Sequence, residues 1–516
     1  MENNVLTVML WGMEVGKIYW NTKLSNSVFT FNKTFINKGL DISPIQAPIN
    51  NPMMSQGIPI NGNKNKLYSG LPEFISDSMP DHWGNKVFAK WLEEKHLKSK
   101  QINPVDRLAF IGKRGMGALE FQPAYLTEDP STNVDIEALY HLSDKIFHDR
   151  ENLSLNIKDG LVLDDMYKIG TSAGGRRPKA IIGINESTGE IRSGQASLPP
   201  EFDYYIIKFS DSNTNGFPFS KIEMAYYLMA KDSGIEMMPS KLVEIDGTQN
   251  FMTKRFDRCN GNKIHTQTLA AMNSMADTYE DLFIIGRKIR LNIAEQTQQF
   301  RRLVFNVLAS NIDDHTKNFS FMMSPDGKWH ITPAYDLIFS VDLDAPSYIN
   351  NHCISINGKT SDITRNDLLS FAAGQDIKDA ANIIDSISEK VVNFKKYAEQ
   401  CNISKGWILR IENYLKENEI LKGKWVENKQ ETAYNELYIC SNGMSAKDIR
   451  FVKLKNKGFR LYANINGGIY QYNFSISNTF SSKISNGKIS VDERNELIEK
   501  YLLPKAIKDN EKTNKI

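Results

Sequence analysis

The sequence predicts an α+β fold: a β-rich first lobe, a mainly helical second lobe, and a small α+β segment appended after them. Three observations carry this reading. Short β-compatible apolar runs recur from about residue 4 to 35 and again from about 165 to 260, whereas residues 280–420 repeat their apolar side chains at helical spacing. Beyond about 421, alternation returns in three segments separated by Gly-containing turns. The expected divisions are 1–125, 126–260, 261–420 and 421–516.

Composition narrows the class. A chain of 516 residues is long enough for two to four domains or lobes. Its 41% hydrophobic and 24% charged content is globular, and 10% aromatic content argues against disorder. The net charge of +2 exerts no global pull on nucleic acid or membrane. Cys259, Cys353, Cys401 and Cys440 lack C-x-x-C spacing, which suggests neither a zinc cluster nor a disulfide framework and fits a reducing compartment. The start, Met-Glu-Asn-Asn, has no basic n-region or apolar run, and no stretch approaches a membrane span. A soluble cytoplasmic protein is expected.

Taken in order, Val8-Met-Leu-Trp11 and Lys17-Ile-Tyr-Trp20 read as strands flanking Gly12-Met-Glu-Val-Gly16, a turn candidate. The Asn/Pro/Gly-rich stretch from about 44 to 66 reads as loop, and Phe74 to Lys95 carries helical spacing through Phe88, Trp91 and Leu92. An acidic linker near 127–135 leads into a helical segment. Tyr204-Tyr-Ile-Ile-Lys-Phe209 is a buried-strand pattern with Lys208 embedded in it, and a lysine there needs a partner. Ser220-Lys-Ile-Glu223 has capping-box spacing and opens a helix with Ile222, Tyr226, Met229 and Ala230 on one face. Glu223 thus has two candidate roles, cap or partner of Lys208. Lys241 to Ile245, Asp246-Gly247 and Phe251 to Lys254 form a hairpin candidate. Phe300, Leu303, Val304, Val307 and Leu308 make one apolar helix face, and Phe319–Met323 and Lys328–Thr332 form a hairpin around Ser324-Pro-Asp-Gly327.

The chemistry concentrates in Asn311-Ile-Asp-Asp-His-Thr-Lys-Asn318 and, across that hairpin, Thr332-Pro-Ala-Tyr-Asp336. Phosphoryl transfer needs a divalent ion on the phosphate oxygens, a carboxylate on the attacking hydroxyl, and cationic or N–H donors to the phosphates. Asp313 precedes Asn318 by the same step as the base and the Mg²⁺-binding Asn in the kinase H-R-D-x-x-x-x-N loop. These residues therefore point to an ATP-dependent kinase with Asp313 as catalytic base and Asn318 and Asp336 as Mg²⁺ ligands.

A nucleotide side is also readable. In Ile169-Gly-Thr-Ser-Ala-Gly-Gly-Arg-Arg-Pro-Lys179, Gly174 and Gly175 permit close backbone approach, while Arg176, Arg177 and Lys179 supply charge. Lys208 resembles the β3 lysine of kinases. Lys254-Arg-Phe-Asp257 follows a strand where a kinase places its interlobe connection, with Asp257 available to ribose. Gly112-Lys-Arg-Gly-Met-Gly117 lacks a strand-to-helix context and is read as structural. Of the eight histidines, only His315 falls in the candidate site, and none forms H-E-x-x-H.

Together, Gly170–Lys179, Ile206–Phe209, Lys254–Arg258, Asn311–Ser320 and Pro333–Leu337 resemble the HipA family of bacterial serine/threonine kinase toxins, over about residues 4 to 420. The resemblance implies a bilobal protein-kinase-like fold using ATP and Mg²⁺. It implies Asp313 as base, Asn318 and Asp336 on the metal, His315 and Lys317 close to the nucleotide phosphates, and Lys208 as the phosphate lysine. It matches Gly174, Gly175, Arg176 and Lys179 to a mobile ATP-binding loop and Lys254 to Phe256 to the adenine-contacting connection. Asp257 and Tyr335 are grouped with the ATP-binding residues. Ser172 matches an autophosphorylated serine, with Thr171 as a competing acceptor, and phosphate there would add roughly one and a half to two negative charges beside Arg176 and Arg177. The implied partner is a HipB-like helix-turn-helix antitoxin that contacts operator DNA, so that DNA is reached only indirectly. The implied protein substrates include aminoacyl-tRNA synthetases, and no membrane is involved.

The strict H-R-D and D-F-G triplets are missing, and residues 421–516 match nothing associated with the family. Residues 421–462 carry nine Lys/Arg against four Asp/Glu, giving +5, interspersed with aromatics. A docking surface and a plain solvated sheet with aromatic core positions are both open readings there. Alternative functions are a small-molecule or lipid kinase and a catalytically silent kinase-fold binding or repressor protein. The presence of Asp313, Asn318, Asp336 and Lys208 argues against the silent one.

Overall fold

A five-stranded antiparallel sheet opens the structure, a computed structural model: β1 Leu6–Leu10, β2 Met13–Asn21, β3 Asn26–Phe31, β4 Ile60–Asn61 and β5 Leu119–Gln122, in the order β4-β3-β2-β1-β5. The structure describes residues 5–80, 82–95, 102–125, 134–148, 177–195, 197–210, 216–425, 432–434, 437–454, 458–475, 480, 483–484 and 489–513. The β1–β2 turn is shorter than the expected Gly12–Gly16. Trp11 and Gly12, with φ of 47° and 77°, suffice to reverse the chain as a two-residue hairpin turn. Gly16 lies inside β2, where a Cβ would come within 2.2 Å of the Thr30 carbonyl oxygen, so close packing rather than a turn explains it.

The helix expected over Phe74 to Lys95 is divided into a single turn, Glu73–Ser76, and a helix, His82–Glu94. Pro80 lies between them, and a proline cannot supply the N–H that a continuous helix needs. Trp83, Val87 and Phe88 of the longer helix share one core with Leu139 and Tyr140 of helix Ile136–His148 and with Ile182, Ile207 and Met252. The last three belong to a second five-stranded sheet, β6 Lys179–Asn185, β7 Glu190–Ser193, β8 Asp203–Lys208, β9 Ser240–Ile245 and β10 Thr248–Lys254, ordered β7-β6-β8-β10-β9. Asp246 and Gly247, with φ of 46° and 71°, form the tight β9–β10 turn.

Helix Phe219–Asp232 connects β8 to β9 and buries Ile222, Tyr226 and Met229. Its N-cap is Pro218 with no side-chain cap bond, so the capping-box reading of Ser220 and Glu223 fails. Ser220 Oγ lies 2.6 Å from Ser210 Oγ, and Glu223 is drawn to Lys208. Two small hairpin strands, β11 Arg258–Cys259 and β12 Asn262–Lys263, precede a three-stranded sheet of β13 His265–Thr268, β14 Ser320–Met323 and β15 Trp329–Ile331. Helices then dominate: Tyr279–Lys288, Ile293–Leu308, Arg365–Gly374, Ala380–Val391, Phe394–Gln400 and Lys405–Lys416. This is the α+β sequence of a β-rich part followed by a helical one.

The chain divides into compact units at Lys424/Trp425. The second unit contains β16 Thr432–Tyr434, β17 Tyr438–Ile439, β18 Ser445–Lys453, β19 Phe459–Ile465 and β20 Gly468–Phe474, with helices Val491–Tyr501 and Leu503–Thr513. In β19, Phe459, Leu461, Ala463 and Ile465 alternate into a core shared with Leu497, Ile498 and Leu502. Among the described residues, no helix is long and apolar enough to cross a membrane.

Candidate active site

Helix Ile293–Leu308 places the first half of the site. Asn292 and Glu295 form a capping box at its start, and Phe300, Leu303, Val304, Val307 and Leu308 are buried along its length. At its end the buried Tyr226 hydroxyl donates to the Ala309 carbonyl at 2.5 Å. Ser310, at a φ of 54°, turns the chain into the loop. Ser340 Oγ then accepts the N–H groups of Ile312 at 2.7 Å and Asp313 at 3.0 Å. The Asp313 side chain remains 63% exposed, and His315 Nε2 lies 3.9 Å from it. Asn318 Nδ2 donates to the Asp313 carbonyl at 2.7 Å, closing the loop on itself.

A buried hydrogen-bond chain supports this loop from below, and sequence reasoning missed it. Asn311 Nδ2 donates to Asn306 Oδ1 at 2.9 Å, Asn306 Nδ2 to the Tyr279 hydroxyl at 2.9 Å, and that hydroxyl to Asp314 Oδ2 at 2.7 Å. His352 Nδ1 lies 2.8 Å from the same oxygen, and the Cys353 N–H donates to Asp314 Oδ1 at 2.8 Å. Asp314 is therefore a buried anchor beside the solvent-facing Asp313. Asp314→Ala strands a buried hydroxyl and other donors without their acceptor. Stability is expected to fall by about 2–4 kcal/mol in denaturant unfolding, whereas an unchanged midpoint would show that the chain carries no weight.

The second half of the site centres on Lys208. It ends β8, opposite Lys179 on β6 and Phe251 on β10. Lys208 Nζ lies 2.5 Å from Glu223 Oε1 and also pairs with Asp336 Oδ1. Burial alone would lower the Lys208 ammonium, but the Asp336 and Glu223 carboxylates outweigh it and hold its pKa above the ordinary value. Burial likewise opposes ionisation of Asp336, and Lys208 and Lys179 overcome it, keeping this carboxyl below its ordinary range.

Asp336 sits at a φ of 54°, a left-handed conformation that is uncommon for a non-glycine residue. Its neighbours impose it. The Ala334 N–H donates to the Glu236 carbonyl at 2.8 Å, and the Tyr335 hydroxyl donates to the Lys317 carbonyl at 2.8 Å. Phe256 stacks on Tyr335 with ring centroids 5.7 Å apart. Tyr335 thus joins the Asp336 turn to the Asp313–Asn318 loop on one side and to the β10 connection on the other.

The structure does not bring every candidate to this point. Asp257 is wholly enclosed: Arg255 donates to it at 2.8 and 2.7 Å, Arg258 at 2.7 Å and the Gly117 N–H at 2.9 Å. The two guanidiniums overcome burial and hold its carboxyl well below the usual range. It is an internal counter-ion, which corrects the ribose-binding expectation and explains the Gly112–Gly117 loop, whose Gly115 and Gly117 carbonyls accept from Arg258. Asp257→Asn leaves two buried cations undercompensated. A loss of about 3–5 kcal/mol in unfolding free energy is expected; weakened ATP binding with undiminished stability would restore the ribose role.

Lys254 pairs with Asp203 at 2.7 Å rather than with the central cluster. Lys317 is exposed, and its charge acts on Asp77. Gly174, Gly175, Arg176, Ser172 and Thr171 lie outside the described residues.

The donor chemistry fits a divalent metal. The Asp336 carboxylate and the Asn318 side-chain carbonyl are hard oxygen donors of the kind Mg²⁺ takes, and the Asn318 amide nitrogen is already committed to Asp313. Among the described residues, no group of three or more His, Cys, Asp or Glu could hold a metal on its own. Asp336 and Asn318 are each a donor for an ion that completes its shell with water and phosphate oxygens.

A model described as the HipA N-terminal domain matches residues 6–122, and one described as the HipA-like C-terminal domain matches residues 171–394. "Putative kinase Y4dM" of Sinorhizobium fredii is 24% identical over 224 residues, covering 40% of this chain and 54% of that protein. The serine/threonine-protein kinase toxin HipA of Shewanella oneidensis is 39% identical over 66 residues, 13% of this chain and 15% of that protein. The chain thus spans about half the length of the first of these curated relatives, and less of the second. A solved Shewanella oneidensis structure, of toxin–antitoxin system HipA and HipB with operator DNA, aligns at a TM-score of 0.53 with 17% identity, covering 81% of this chain and 96% of that one.

Proposed function

The chain belongs to the HipA family and has its α+β kinase-like fold, and on that premise we propose that it is a Mg²⁺/ATP-dependent protein serine/threonine kinase, a growth-arresting cytoplasmic toxin. The observation that carries the reading is Lys208, held between Glu223 and Asp336, with the Tyr335 hydroxyl beside Asp336 bonded to the Lys317 carbonyl of the Asp313–Asn318 loop at 2.8 Å. A lysine fixed by two carboxylates is a preset positive charge for the donor's phosphates. Asn318 and Asp336 would hold Mg²⁺, which when bound neutralises phosphate oxygens.

Asp313 orients the acceptor hydroxyl and takes its proton. The acceptor oxygen bonds to the γ-phosphorus, the bond from that phosphorus to the bridging oxygen breaks, and ADP leaves. Phe256 and the backbone around it meet the adenine. Purified full chain incubated with Mg²⁺, γ-labelled ATP and protein acceptors should place label on serine or threonine. ATP consumption with a metabolite and no labelled protein would replace the reading by a small-molecule kinase.

Ser172, in the basic glycine loop, is the regulatory phosphosite of this proposal. Ser172→Ala should remove most self-label in phosphopeptide mapping, and full self-labelling of that variant would shift the site elsewhere, with Thr171 next in line. The relative solved with HipB and operator DNA supports a HipB-like helix-turn-helix antitoxin as partner, through which DNA is reached. An aminoacyl-tRNA synthetase is the proposed substrate class.

A further inference from the structure

We infer that Asp77, in the N-terminal HipA domain, is a positioning residue for the metal donors Asn318 and Asp336. This rests on the kinase reading above. Asp77 follows the single turn Glu73–Ser76, whose Phe74, Ile75 and Ser76 are buried. Its carboxylate reaches across 191 positions of sequence to Thr268, at the end of β13. The Thr268 N–H donates to Asp77 Oδ2 at 2.7 Å, and the Thr268 hydroxyl donates to both carboxylate oxygens at 3.0 Å. Two more bonds tie the following residues to the same domain. The Tyr68 hydroxyl donates to the Ala270 carbonyl at 2.9 Å, and Gln46 Nε2 donates to Ser274 Oγ at 3.0 Å.

From Thr268 the connection runs on toward both donors. Thr268 pairs with Ser320 across β13–β14, and the Leu269 N–H donates at 2.7 Å to the carbonyl of Phe319, the residue after Asn318. Ser320 Oγ lies 2.5 Å from the Tyr335 hydroxyl. That hydroxyl gives its proton to the Lys317 carbonyl at 2.8 Å, so its lone pairs accept from Ser320. Tyr335 in turn precedes Asp336. Asn318 and Asp336 are therefore each one residue from a member of a single bonded network that begins at Asp77.

A carboxylate suits this place because it only accepts, and here it takes the N–H and the O–H of one threonine together. The Thr268 hydroxyl, its proton committed to Asp77, accepts the Ala271 N–H at 3.2 Å and so holds the next turn as well. Burial pushes the Asp77 carboxyl up, while the Thr268 N–H and the Lys317 ammonium pull against it, so the charge of the loop also acts on this residue. Mg²⁺ demands near-ideal octahedral placement of its oxygens, which makes its binding sensitive to what holds the donors in place. Groups behind a metal's ligands commonly set about 10- to 100-fold of its affinity.

The test titrates Mn²⁺, which takes the same oxygen donors as Mg²⁺ and is followed by the EPR signal of the free ion, into full-length protein with a non-hydrolysable ATP analogue. The Mg²⁺ dependence of γ-phosphate transfer and the melting temperature are measured on the same preparations. Asp77→Ala should weaken Mn²⁺ binding, and raise the Mg²⁺ concentration for half-maximal transfer, by about tenfold or more. Asp77→Asn keeps one oxygen for the Thr268 N–H and should show a smaller loss in the same direction; it decides the matter where the alanine variant does not fold. Unchanged Mn²⁺ binding and Mg²⁺ dependence in the folded variant, even with a lower melting temperature, would leave Asp77 a structural link and overturn the positioning role alone. Wild-type protein that neither takes up Mn²⁺ with the analogue nor transfers phosphate overturns the kinase reading and this role with it.

Discussion

Asp313→Ala should lower kcat by about 10²- to 10⁴-fold, the usual range for losing a positioned general base, and leave ATP affinity close to wild type. The variant is selective because of how the loop is held. Ser340 grips the Asp313 N–H and Asn318 grips its carbonyl, both backbone groups that alanine retains. Only the solvent-facing carboxylate is removed. Single-turnover transfer and ATP titration on the same preparation read the two quantities apart, and a variant that turns over as fast as wild type would remove Asp313 from the mechanism.

Lys208→Met should act on both binding and stability. It leaves Glu223 and Asp336 facing one another without the ammonium that separates their charges. Breaking a buried pair costs about 3–5 kcal/mol, and because the Asp336 side chain keeps 30% exposure about 2–4 kcal/mol is the fitting range here. In the same variant the donor's phosphates lose their fixed cation, so kcat/KM should fall by at least about 10³-fold, the scale of losing one preorganised electrostatic partner. Denaturant unfolding and ATP titration together are the check. A stability loss with unaltered nucleotide affinity would make Lys208 a structural lysine only.

Local pattern made parts of this site readable in advance. Helix Ile293–Leu308 and the β14–β15 hairpin were legible because apolar period and Ser-Pro-Asp-Gly turn chemistry are local properties. Lys208 was legible as a charge in an apolar strand, though its choice of Glu223 required the helix to start at Phe219 and not at the Ser220 cap. Asp257 was misplaced because its motif position resembled a ribose contact. The flanking Arg255 and Arg258 were the available sign of an internal ion cluster. Asp314, Tyr279, Asn306 and His352 come together over sequence separations of 27 to 38 residues, where no periodicity speaks. Gly16 shows the converse, a glycine that looks like a turn but makes room for a neighbouring strand.

The most direct measurement of the central claim is transfer of the γ-phosphate of labelled ATP by the full-length chain. Label on serine or threonine that requires Mg²⁺, stops on chelation with EDTA, and is absent from both the Asp313 and Lys208 variants is the predicted result. Undiminished transfer by either variant, or a wild-type chain that neither binds nor turns over Mg²⁺/ATP, would contradict it.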